Sequence, residues 1–158
     1  IRDCGVTGVQ TCALPISLSE TTTHAIEAVR SELVKVALDI HAHPELNYQE
    51  EHAARLLSGT LEKHGFQVER GVGGVETAFT ATLSGGAGDG PTVAVLAEYD
   101  ALPDIGHGCG HNLIAMAAIG AGLGLKANLD KLPGKVMVIG TPAEEGGGGQ
   151  IRDRKSVV

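Results

Sequence analysis

The sequence predicts an α/β fold, a mixed sheet flanked by helices. Three observations carry that expectation. Residues 20–43 place Ile26, Val29, Leu33, Val36 and Ile40 at intervals of three or four, with Glu27, Arg30, Glu32 and Lys35 facing away, which is the period of an amphipathic helix. Residues 92–97 and 135–140 form continuous apolar runs, as strands buried on both faces do. Helical and strand-like stretches then interleave along the chain, as in a sheet packed with helices.

Taken in order, Pro44 stops the first helix. Asn47 and Glu50 resemble a capping pair, opening a second helix near residues 48–64 that turns Ala53, Ala54, Leu57 and Leu61 inward and ends at His64-Gly65. Residues 66–69 and 77–83 alternate apolar and polar like short strands, separated by the glycines at 71–74. Residues 84–90 read as a flexible turn, and the run at 92–97 delivers Glu98 and Asp100 from its C-terminal end. A helix over residues 112–126 is rich in alanine and glycine, so it is suited to close packing on its neighbours. Pro133-Gly134 turns the chain into the run at 135–140, which leads to the paired Glu144 and Glu145. Ligands of open α/β sheets gather beyond the carboxyl ends of strands, and both acidic segments fall there.

Composition narrows the function. At 158 residues the chain is about one domain long and can bury a core. A net charge of -7 and a pI near 5.4 argue against nucleic acid as a partner, since phosphate binding needs a basic face. The apolar runs are too short to span a bilayer, so no membrane is expected. Three unevenly placed cysteines do not make a secreted disulfide framework, and a cytoplasmic location fits. Two end segments are set apart from the fold. Residues 1–16 form one, because residues 6–16 look like the translation of a common sequencing adapter, and residues 153–158 read the same way. The domain is therefore expected over residues 17–152, and Cys4 and Cys12, in or beside the first tail, are given no chemistry.

The chemistry concentrates in two stretches. Gly106-His107-Gly108-Cys109-Gly110-His111-Asn112 sets a thiol and an imidazole one residue apart among glycines, which let the backbone approach an ion without a side-chain clash. Zinc and similar divalent metals accept both donors. Thr141-Pro142-Ala143-Glu144-Glu145-Gly146 adds two adjacent carboxylates, of which one can ligate and the other move a proton. Cys109, His111 and Glu145 are the candidate ligands, and Glu144 the candidate proton acceptor. Two other readings stand beside this one. The first loop can be a tight structural turn, or Cys109 a nucleophile at a helix start, where the dipole lowers a thiol pKa. The nucleophile reading leaves the two glutamates without a role. Glu98 and Asp100 are placed behind the ligands, with Asp100 the better acceptor for the remote N–H of a ligand histidine, against a simple turn role before Pro103. His41 and His43 sit before Pro44, where helix capping is explanation enough. Residues 84–90 contain glycines that could cradle phosphate, but a strand follows them instead of a helix N-terminus.

Four ordered motifs resemble a known family. His41-Ala42-His43-Pro44-Glu45-Leu46, Ala97-Glu98-Tyr99-Asp100-Ala101-Leu102-Pro103, the glycine-framed Cys109 segment and Thr141-Pro142-Ala143-Glu144-Glu145 with its glycines are similar to the metal-dependent amidohydrolases related to aminoacylase and carboxypeptidase. The nearest branch looks like the aminobenzoyl-glutamate hydrolases and dipeptidase-like proteins; Asn112, where hippurate-hydrolase relatives carry aspartate, points the same way. The resemblance covers about residues 18–150 and implies an incomplete di-metal peptidase catalytic domain, with a lid or dimerisation domain absent from this chain. It implies two divalent metal ions, zinc or manganese, with Cys109, His111 and Glu145 as ligands, Glu144 as catalytic base and Asp100 as the supporting acid. It also implies a small-molecule amide or dipeptide substrate, such as an N-acyl or aminobenzoyl amino acid, a homodimeric full-length parent, and further ligand histidines beyond Arg152. The competing expectation is a truncated, catalytically incomplete fragment that binds at most one metal.

Overall fold

The computed structural model describes residues 5–146, with side chains described from residue 18 onward. The tail expected at 153–158 lies outside the described residues, as do residues 1–4 and Arg152. Four strands make one mixed sheet: β1 (Gln67–Arg70), β2 (Phe79–Ser84), β3 (Thr92–Glu98) and β4 (Lys135–Thr141), in the order β1-β2-β4-β3. The β1–β2 and β2–β4 pairs are antiparallel, whereas β3 and β4 are parallel. Parallel neighbours need a crossover, and α3 (His111–Lys126) supplies it. The expected mixed α/β architecture is the one observed.

The first helix, α1 (Gly5–Ala42), begins earlier than the residue-20 start expected from the apolar period. Apolar spacing reveals only the part that packs: Ile26 and Val29 are partly buried against the core, and Leu33, Val36 and Ile40 are fully buried. The glycines of α3 allow the close packing expected of them. A Cβ on Gly122 would lie 2.7 Å from Val138 Cγ2, and one on Gly124 2.9 Å from Thr22 Cγ2, so sheet and α1 both approach the α3 backbone.

Two expectations need correction. The run at 92–97 is not a strand buried on both faces. β3 is an edge strand whose first three residues are exposed, and Val93 and Leu96 remain 50% and 46% exposed. The similar run in β4 is central and buried over most of its length, because β2 and β3 flank it. The second correction concerns α2 (Glu51–Lys63). Asn47 and Glu50 do not cap it, and Glu50 at the cap position makes no side-chain cap bond. The Glu45 carboxylate instead accepts the His52 and Ala53 amides at 2.8 and 2.9 Å, satisfying orphan donors of the first turn from across the Pro44 bend. Residues 84–90 likewise have a structural role: Gly85 donates to the Gly134 carbonyl and Gly134 to the Gly88 carbonyl, closing a loop at the start of β3 and β4.

Gly140 on β4 faces the Phe79 ring, and a Cβ there would sit 2.1 Å from Phe79 Cε1. Phe79 is 1% exposed and stacks on Tyr99, so it has little space to swing away. Gly140→Ala is expected to cost about 1–3 kcal/mol through overpacking, seen as a lower urea midpoint at unchanged m-value. An unchanged midpoint would show that the ring can yield.

Candidate metal centre

The site grows from one end of the parallel pair. Glu98 and Thr141 are register partners, so the chain leaves β3 and β4 side by side. After β3, Tyr99 and Asp100 are fully buried. After β4, Ala143 takes a left-handed conformation (φ 55) that turns the chain at Glu144 and Glu145. Two carboxylates from elsewhere hold this turn. The Ala143 amide donates to Glu50 Oε1 at 2.9 Å, and the Glu145 amide donates to Asp100 Oδ2 at 3.0 Å. The third contributor is the start of α3, where Gly110 has φ 88, a conformation that glycine adopts without strain, between Cys109 and His111.

His111 is 4% exposed and organises the centre. Its Nδ1 lies 2.9 Å from the Asp100 carbonyl oxygen and 3.1 Å from Asp100 Oδ1. Both neighbours are acceptors, so the ring proton belongs on Nδ1. The nearer carbonyl takes it, which leaves Oδ1 without a directed donor among the described residues. In the neutral ring Nε2 then carries the lone pair. Around that nitrogen stand Glu98 Oε2 at 3.7 Å, Glu144 Oε2 at 3.7 Å and Glu145 Oε1 at 4.0 Å. One donor atom each from Cys109, His111 and Glu145 lies within 4.8 Å of the other two. The carboxylates gathered here repel one another, a cation would offset that repulsion, and sulfur, nitrogen and oxygen donors together suit zinc-like ions. The donor set fits a divalent metal.

Loss of hydration pushes the exposed Cys109 thiol above its ordinary pKa, and the facing Glu145 carboxylate pushes the same way. An activated nucleophile needs the opposite shift. An arriving cation would displace that proton.

The structure thus brings Cys109, His111 and Glu145 together, sets Glu144 beside them and buries Asp100 behind His111. Glu98 was expected behind the ligands but presents its carboxylate on the Nε2 side of the ring. Sequence reasoning gave Glu45 no role of its own and took Glu50 for a cap of α2; Glu45 does the capping, and Glu50 anchors the turn at Ala143. His43 does cap, its Nδ1 donating to the Asp39 carbonyl at 2.8 Å. His107 is buried with both ring nitrogens lacking a hydrogen-bond partner among the described residues, and its ring lies 6.4 Å from that of His41. Burial first, then His41, holds His107 below its ordinary pKa.

Known proteins share this arrangement of sequence and fold. No protein-family model matches the chain. It is 38% identical over 145 residues to a component of the p-aminobenzoyl-glutamate hydrolase of Escherichia coli, covering 80% of this chain and 30% of that protein. It is also 38% identical over 145 residues to the human Xaa-Arg dipeptidase, covering 82% and 33%. A Bacillus subtilis structure described as a dinuclear metal binding peptidase of the M20 family superposes with TM-score 0.74 at 28% identity, over 82% of this chain and 40% of that one. The chain belongs to the M20 family. It spans about a third of the length of the curated M20 relatives it matches. Among the described residues no helix is long and apolar enough to cross a membrane.

Proposed function

We propose that this chain supplies the Cys109–His111–Glu145 portion of a two-metal amidohydrolase centre, and that the full-length protein hydrolyses an amide bond in an N-acyl or aminobenzoyl amino acid or a dipeptide. The observation that carries this reading is the convergence of those three donor atoms within 4.8 Å, with Glu144 beside them. The named activities of the relatives support the substrate class, and the description of the Bacillus subtilis neighbour supports two ions. Zinc or manganese, when bound, supplies a polarised substrate carbonyl and more acidic water. The chain's own residues do the rest. Asp100 keeps the His111 proton on Nδ1 and fixes the Glu145 amide. Glu144, whose side chain is 36% exposed, accepts a proton from the attacking water and returns it to the leaving amine. The remaining ligands come from other parts of the full-length protein, which we take to be a cytoplasmic homodimer, with residues 17–152 as the N-terminal portion of its catalytic domain.

A second reading is favoured by the match to only a third of each relative: by itself the chain holds at most one metal at this centre and is catalytically incomplete. Both are tested by chelation. The full-length protein is expected to lose hydrolysis of aminobenzoyl-glutamate or a dipeptide on dialysis against a chelator and to regain it with zinc or manganese, while the 158-residue chain stays inactive throughout. Hydrolysis that survives chelation would contradict the metal reading.

A further inference from the structure

We propose that Asp39, His43 and His52 form a second cation site, built from residues the first site does not use and suited to zinc or an ion of similar chemistry. Asp39, in the last turn of α1, and His43, just past its end at Ala42, lie four residues apart with their side chains in contact. His52 is in the first turn of α2. The connection through Pro44 folds so that one donor atom of each lies within 4.8 Å of the other two. His52 Nε2 is 2.5 Å from Asp39 Oδ1, and His43 Nδ1 is 3.2 Å from the same oxygen. The two imidazole rings are 4.6 Å apart, centroid to centroid.

Neighbouring groups prepare the donors. His43 Nδ1, the ring nitrogen 3.2 Å from Asp39 Oδ1, is also 2.8 Å from the Asp39 carbonyl, and an ion bound there would take the place of the proton it shares with these oxygens. The His52 and Ala53 amides are fixed by the Glu45 carboxylate, which anchors the helix start that carries the third donor. The side chains of Asp39, His43 and His52 are 43%, 58% and 37% exposed, so a cation reaches them without opening the fold. Two imidazoles with one carboxylate select zinc, nickel or copper over magnesium or calcium, and three protein donors leave a position for water. A plain ion pair of this exposure contributes little to stability, whereas a shared ion would clamp α1 to α2 and raise stability by linkage.

The test is zinc titration by calorimetry on the 158-residue chain carrying Cys109→Ala and Glu145→Gln, which removes two donors of the first centre. This background is expected to bind about one equivalent of zinc and to gain thermal stability from it, whereas adding His52→Gln or Asp39→Asn weakens binding at least about tenfold and abolishes the gain. In the otherwise unchanged chain, His52→Gln should remove about one zinc equivalent while circular dichroism stays the same, a comparison that does not depend on the background folding. A background that folds yet binds no zinc, or His52→Gln and Asp39→Asn variants that bind as their parents do, overturns the proposal.

Discussion

Glu144→Gln is expected to lower turnover of the full-length protein by about 10²- to 10⁴-fold with metal content unchanged. The geometry separates the two neighbouring acids. Glu145 belongs to the group of three converging donors, whereas Glu144 stands outside it, with Oε2 3.7 Å from His111 Nε2. Glutamine keeps the size and polarity of the side chain but cannot take up a proton at neutral pH. Loss should therefore fall on kcat with little change in KM, the signature of an interaction used in the transition state. Glu145→Gln should behave differently and release metal. A Glu144→Gln protein within tenfold of wild type would remove Glu144 from the role, and one stripped of metal would make it a ligand.

The second large effect concerns stability. Glu50 is completely buried, and its carboxylate accepts the Tyr48 amide at 3.0 Å, the Ala143 amide at 2.9 Å and the Thr77 hydroxyl at 3.2 Å. Glu50→Ala leaves those donors without an acceptor, at about 1–3 kcal/mol each, so a total loss of about 3 kcal/mol or more is expected in urea unfolding. Freeing Ala143 should also loosen the turn that carries Glu144 and Glu145 and weaken metal binding. Glu50→Gln keeps a carbonyl for the two amides and should cost much less. The same pair of proteins tests a pH effect. Burial raises the Glu50 pKa above its ordinary value near 4.5, only partly offset by its hydrogen bonds. The folded state then holds this proton more tightly than the unfolded state. Its contribution is fully favourable below pH 4.5 and is lost as pH rises through the folded pKa. Stability of wild type relative to Glu50→Gln should therefore fall as pH rises from 4.5, and a difference independent of pH would show that Glu50 titrates normally.

Much of this architecture was legible because it is local. The period from Ile26 to Ile40, the alanine- and glycine-rich α3 and the central β4 all appear as expected, since each depends on which side chains a single element must bury. The edge position of β3 was hidden, because an apolar run does not reveal its neighbours, and order within a sheet is decided by pairing across the chain. The α2 cap was misread for a related reason. Asn47 and Glu50 have the spacing of a local capping pair, but Glu45 reaches the His52 amide across seven residues once Pro44 bends the chain. At the site, the convergence of Cys109, His111 and Glu145 followed from their placement after two strands. The inward carboxylate of Glu98 did not, since the face it takes depends on the parallel register with Thr141.

Whether sulfur, imidazole and carboxylate hold one ion is tested most directly by titrating cobalt(II) into the chain and recording near-ultraviolet thiolate-to-cobalt absorption. The absorption is expected to rise to a plateau, to vanish in Cys109→Ser and to weaken sharply in His111→Ala. No such absorption from the unaltered chain, or an undiminished one from Cys109→Ser, would contradict the assignment.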